Sequence, residues 1–344
     1  MANILLLGAG GNAGINFTKC LHMSKHNVIG VDLNDYYLNS SNSNIKLHID
    51  FSRKTEEILS IIKNYKIDLV HAQPDVEVKY LLSTSELKNY IFPHNLEIWE
   101  KFSDKLECQR IWSNSIKNFI VASYKDVCKY PVLFSNMLYK GNGKVWIRSI
   151  TGAGSKAALP INNMQQAENW TSYWREMRGI SENEFMFCQY LPGKEYAVQT
   201  FWYNGQLIHS QARERLIYFF GSLMPSGQTS TPAVAKTVNE NRIYETAYKA
   251  IQLIDDTPHG IYCVDMKENN EGDPIPTEVN YGRFFTTSDF FANIGVNTPD
   301  EYVKSTLPSY RPNIKISHIN EEYYWIRGLD KEPKLVKHNE LCIK

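Results

Sequence analysis

The chain has 344 residues, 43% hydrophobic and 22% charged, and its 37 Lys+Arg balance its 37 Asp+Glu. That length requires two or three packed units rather than one core, and the composition is that of a globular protein. A formal net charge of zero gives no electrostatic reason to expect nucleic acid or a membrane surface as partner, and no stretch reaches the roughly 20 apolar residues that cross a bilayer.

In chain order, Asn3–Leu7 (NILLL) is an apolar run that reads as a buried parallel strand, Gly8–Gly14 is the turn after it, and Ile15–Met23 is a helix. Val28–Val31 is a second strand, ending at Asp32. Lys54–Tyr65 is an amphipathic helix with Ile58, Ile61, Ile62 and Tyr65 on one face, and Asp68–His71 is a third strand. This alternation predicts a doubly wound α/β unit running to about Phe102. Ser103 starts another helix, with the Asp104 carboxylate suited to its N-terminus. From about Lys129 the pattern becomes α+β with antiparallel strands. Strands are expected at Val145–Ile147, Glu184–Leu191, Tyr196–Tyr203, Gln206–Arg213, Tyr262–Lys267 and Ile275–Val279, and helices at 162–179 and 240–253. Nothing beyond Thr298 can be assigned.

The six cysteines, Cys20, Cys108, Cys128, Cys188, Cys263 and Cys342, form no CxxC pair and no zinc-ligand spacing. They read as free thiols in a reducing compartment. The N-terminus lacks the basic start of a signal peptide, so a cytoplasmic protein is expected.

Two groups of residues carry chemistry. Gly8, Gly10, Gly11 and Gly14 open a helix after a strand, and Asp32 follows Gly8 by 24 positions. That spacing fits a dinucleotide fingerprint, and equally a tight strand–helix crossover that binds nothing. Near the C-terminus, Glu278 and Asn280 are two apart on one strand and share a face, and a tight hairpin sets Asp265 across from them. Three oxygen donors, two of them anionic, suit Mg²⁺, which keeps phosphate and water among its ligands. Arg283 follows, placed to meet a phosphoryl group. Upstream, Arg148 precedes a loop, Thr151–Lys156, whose glycines expose backbone N–H groups, as phosphate cradles do. Arg213 and Arg215 flank Glu214 and read either as carboxylate recognition or as a solvent-facing ion-pair cluster.

The run Glu278-Val279-Asn280-Tyr281-Gly282-Arg283 resembles the E-x-N-P-R signature of the ATP-grasp superfamily, with Tyr281-Gly282 where a single proline is common. The large subunit of carbamoyl phosphate synthetase and its relatives are the most similar members. Other segments resemble that family in the expected order over about residues 3 to 300. The resemblance implies a Rossmann-like pre-ATP-grasp domain (1–102), then a two-lobed ATP-grasp fold. Its small lobe (103–190) would carry the glycine loop and its large lobe (191–310) the metal site, leaving 311–344 without a role. It also implies that Lys105 and Arg148 reach ATP, and that Gly152, Ala153, Gly154 and Ser155 close over its phosphates. Gln189, Tyr190 and Leu191 would meet adenine, and Glu195 the ribose. Arg213 and Arg215 would line the acceptor side, with Arg283 and Arg148 as catalytic cations and Asp265, Glu278 and Asn280 as metal ligands.

The implied cofactors are ATP and Mg²⁺, with Mn²⁺ as a second ion the site could take. The implied reaction joins a small-molecule carboxylate to an amine through an acyl phosphate, in a chain that could form a homodimer. A carbamoyl- or carboxy-phosphate former, a nicotinamide oxidoreductase using the N-terminal turn, and a non-catalytic ATP-binding protein are the rival readings.

Overall fold

The computed structural model describes residues 1–152, 157–229, 231–314, 319–329 and 331–341. Three sheets account for its strands. The first is parallel: β1 (Asn3–Leu7), β2 (Asn27–Val31), β3 (Ile45–Lys46) and β4 (Leu69–Ala72) lie in the order β3-β2-β1-β4. The NILLL run is buried from its second residue on, as a strand covered on both faces must be. The helix Lys54–Tyr65 presses Ile58, Ile61 and Ile62 onto this sheet. The helix after β1 begins at Asn12, ahead of the expected Ile15, because Gly11 is already extended at its N-cap.

The second sheet is antiparallel: β5 (Val121–Ser123), β6 (Val145–Ser149), β7 (Leu159–Ile161) and β8 (Phe185–Gln189), ordered β5-β8-β6-β7. The third is antiparallel and larger: β9 (Glu195–Tyr203), β10 (Gln206–Tyr218), β11 (Pro232–Thr237), β12 (Gly260–Glu268), β13 (Pro274–Tyr281), β14 (Tyr323–Ile326) and β15 (Lys334–Lys337). Its order is β13-β12-β9-β10-β11-β14-β15. The Asn204-Gly205 turn joins β9 to β10 with positive φ at both residues, 49° and 79°, as a two-residue hairpin demands.

Two expectations need correction. Ser103 closes the helix Leu96–Ser103 instead of opening the next one; Asp104 caps the helix Lys105–Ser115 by accepting from the Glu107 N–H at 3.0 Å. Both residues are good N-caps; here Asp104 takes the position, while the Ser103 hydroxyl is turned back to donate to the Trp99 carbonyl at 2.8 Å. Beyond Thr298, a helix Thr298–Ser305 packs on the first helix, and β14 and β15 extend the large sheet from β11. Those strands are four residues each, too short for a readable alternation.

Strands β9 to β13 alternate sharply. One face carries Tyr196, Val198, Trp202, Ala212, Tyr262 and Val264, packed under Trp112, Ile243, Ala247 and Ile251 of two helices. The opposite face carries charge. No helix among the described residues is long and apolar enough to cross a membrane.

Candidate functional site

On the charged face, cross-strand pairing lines residues up in rungs. Glu278, Asp265, Ala197 and Arg213 form one rung across β13, β12, β9 and β10; Asn280, Cys263, Gln199 and Gln211 form the next; Lys267, Glu195 and Arg215 form a third. The strand period of two therefore brings Asp265 beside Glu278 on one face, and the small Ala197 leaves room above the sheet between acid and arginine.

Each of the three oxygen donors meets an arginine. Arg148 reaches over from β6 and donates to Glu278 at 2.5 Å, linking the two antiparallel sheets. Arg215 donates to Asp265 at 2.5 Å. Arg283 donates to the Asn280 side-chain oxygen and pairs with Asp75 at 2.9 Å, on the helix Asp75–Ser83 of the parallel-sheet unit. Gly282, at φ +81°, makes the turn that aims Arg283 back at Asn280. Burial would raise the Glu278 carboxyl, but Arg148, Lys105 and Arg283 hold it at about 2, so it is ionised. At Asp265 burial wins over Arg215 and the carboxyl is raised, with Glu278 adding to the rise.

Arg148, Arg213, Arg215, Asp265, Glu278, Asn280 and Arg283 line one cavity of about 500 Å³. Its far end is apolar, walled by Phe119, Trp146, Tyr190, Leu191, Met266 and Ile275, with Gln189 at its edge. Gln189 also stitches β8 to the chain at Ile120, its N–H donating to the Ile120 carbonyl at 2.8 Å. Glu195 stands between the two ends and accepts from Lys267 at 2.6 Å and from Tyr218 and Gln228. Burial would raise its carboxyl, yet Lys267, Tyr218 and Arg215 hold it below the usual carboxylate range.

Lys105 is buried, and its ammonium donates to the Gly152 carbonyl at 2.6 Å, so it holds the entry to the glycine loop. Burial pulls its pKa down against the opposing pull of Glu278. Ala153, Gly154 and Ser155 lie outside the described residues. Arg213 differs from Arg215: it is only 2% exposed, its guanidinium lies 4.2 Å over the Phe285 ring, and it donates to the Thr287 hydroxyl.

Sequence reasoning passed over Lys267, Tyr218, Gln228 and the segment Phe284–Thr286, which also border the cavity. Lys267 was readable, being two residues from Asp265 on the same strand. Tyr218 was not, because the expected strand stopped at Arg213 and β10 continues to Tyr218.

No family model and no curated protein matches the chain. Solved structures do. The L-amino acid ligase from Bacillus licheniformis matches with a TM-score of 0.66 at 11% identity, covering 95% of this chain and 79% of that one. The biotin carboxylase domain of Hydrogenobacter thermophilus 2-oxoglutarate carboxylase, solved with MgADP and bicarbonate, gives 0.69 at 12%, covering 95% and 74%. The N5-carboxyaminoimidazole synthetase from Staphylococcus aureus, complexed with ADP, gives 0.65 at 15%, covering 94% and 82%. At such identities the likeness is one of fold: a Rossmann-like unit followed by the two-lobed ATP-grasp architecture.

Proposed function

We propose that the chain is an ATP-dependent carboxylate–amine ligase that works through an acyl phosphate and releases ADP and phosphate. The observation that carries the reading is a single cavity with an apolar slot at one end and, at the other, two carboxylates, an amide oxygen and four arginines.

Adenine would enter between Trp146, Tyr190, Leu191, Met266 and Ile275, with ribose toward Glu195. Asp265, Glu278 and Asn280 offer the hard oxygens that Mg²⁺ accepts alongside phosphate. Among the described residues no three His, Cys, Asp or Glu side chains gather, so the donor set relies on Asn280 and on nucleotide oxygens. Bound there, Mg²⁺ or Mn²⁺ would neutralise phosphate charge. Arg148 and Arg215, now on carboxylates, would exchange those partners for the entering phosphates. A substrate carboxylate oxygen then attacks the γ-phosphorus as the bond to ADP breaks, and Arg148 and Arg283 stabilise the charge that spreads over the transferring group. An amine attacks the acyl carbon, phosphate leaves, and the amine proton passes to solvent. No Ser, Cys or His nucleophile is required.

The dinucleotide rival is disfavoured by Asp32. Its two oxygens accept from the Gly10 N–H at 2.9 Å and the Asn34 N–H at 3.1 Å, so the acid ties the turn together rather than standing free for a ribose. A second reading, carboxy-phosphate formation, is favoured by the bicarbonate in the 2-oxoglutarate carboxylase domain. The same protein is a dimer, and a homodimer is the assembly we propose; sedimentation at equilibrium reads it.

The deciding experiment measures ADP release against pools of small acids and amines. Release that needs one acid and one amine together supports the ligase; release with bicarbonate alone selects the alternative. Saturable ATP binding with no ADP release from any pool overturns both in favour of a binding protein.

A further inference from the structure

The N-terminal glycine turn, which the nucleotide reading leaves idle, is a wall of the same cavity: Gly8, Gly11, Asn12, Ala13 and Gly14 face it. The 12-residue helix that opens here has no side-chain cap at Gly11 and no acid in its first turn. Ile15 is the first residue whose N–H finds a helical acceptor, the Gly11 carbonyl at 2.9 Å. Among the described residues the N–H groups of Asn12, Ala13 and Gly14 have no acceptor, so three donors and the positive end of the helix dipole look into the cavity.

An independent observation points the same way. Arg213 borders the cavity, is 2% exposed and forms no ion pair among the described residues; the nearby Asp265 is held by Arg215. Its Nε has no hydrogen-bond partner. Burial pulls its pKa down to about 9. A buried guanidinium without a counter-ion is costly, and an anion placed beside it removes that cost. The two features meet at one segment: Asn16 of the helix donates to the Thr286 carbonyl, and Arg213 donates to the Thr287 hydroxyl.

We propose that this end of the cavity is an oxyanion subsite. One of the two joined substrates carries a carboxylate or phosphate, separate from the carboxyl that is activated, and the N–H groups of Asn12, Ala13 and Gly14 grip it together with Arg213. The word substrate rests on the ligase reading; the anion site does not.

The test titrates inorganic phosphate and succinate by calorimetry into the full chain, first alone and then with Mg²⁺ and a non-hydrolysable ATP analogue at saturation, which fills the nucleotide's own phosphate positions. Ala13→Asp puts a carboxylate on the first helical turn, where an acid favours helix formation, so the fold is kept. At least one of the two anions is expected to saturate on the wild type in both states. Ala13→Asp should weaken it at least tenfold and leave the analogue's affinity within twofold. No saturable anion binding, or equal binding to Ala13→Asp, overturns the proposal, as does a parallel loss of analogue affinity, which would place the anion on the nucleotide's phosphates. If no acid and amine ever elicit ADP release but the anion arm behaves as expected, the ligase reading falls and the subsite stands.

Discussion

The two faces of strands β9 to β13 share one backbone and differ at every second residue. One is a sealed apolar layer under two helices. The other sets Glu195, Arg213, Arg215, Asp265, Lys267 and Glu278 against a cavity. The apolar layer gains stability from every methylene it buries. The charged layer gains little, since desolvating paired ions offsets most of their attraction. A charged face half-withdrawn from water is explained better by what it can bind than by what it holds together.

Breaking the apolar layer should therefore cost stability, and breaking the charged one activity. Trp112 is fully buried there and donates its indole N–H to the Ala250 carbonyl at 3.0 Å. Trp112→Ala should lose about 3–5 kcal/mol in denaturant unfolding, while ADP release per folded molecule holds. A loss under about 1 kcal/mol would show that the layer is not the anchor described. On the other face, Glu278→Gln keeps the shape and removes the charge facing Arg148. ADP release should fall about 10²-fold, with a smaller stability loss than Trp112→Ala; wild-type turnover would sink the metal-site assignment.

A third kind of buried polar group sharpens the contrast. His71 stacks on Phe17 at 4.6 Å and lies edge-on to Tyr302, with no acid paired to it among the described residues, and burial takes its pKa from 6.5 to about 3. The folded protein keeps it neutral, whereas the unfolded chain protonates it below about 6.5. Its contribution is therefore intact above that value and is lost as pH falls toward 3. By pH 5 the loss should be about 2 kcal/mol, at 1.36 kcal/mol per unit. His71→Gln should flatten the pH dependence of unfolding over that range; identical slopes for the two proteins would rule this out.

Period-two spacing and a short hairpin made the Asp265–Glu278–Asn280 face legible, since both act within a few residues. What decides Arg213 acts across the whole fold. In sequence it looks like Arg215, two positions on, yet Phe285 closes over one while Asp265 pairs with the other. The glycine turn was legible as a turn, but its place in the wall depends on a distant segment, joined through Asn16 and Thr286, which are 270 residues apart. The late pairing of β14 on β11 was unreadable for the same reason, with one short strand meeting another far along the chain.

The smallest effect expected lies at Gly152, where the charged face meets the glycine loop. Its φ is +91°, and among the described residues a Cβ built there meets nothing within 4 Å, so backbone strain is what opposes a side chain there. Its carbonyl receives the Lys105 ammonium at 2.6 Å. Valine, β-branched, resists positive φ by about 1–3 kcal/mol and would rotate that carbonyl away. Lys105 would then be a buried cation without its acceptor, close to Glu278 and Arg148. The ATP analogue should bind within about threefold of wild type, because the adenine slot is untouched, while ADP release should fall about tenfold, the equivalent of about 1.4 kcal/mol. Asparagine tolerates the left-handed region, so Gly152→Asn should recover most of the rate. If Gly152→Asn and Gly152→Val are equally slow, side-chain bulk rather than backbone conformation is responsible, and the role of the Gly152 carbonyl in holding Lys105 fails with it.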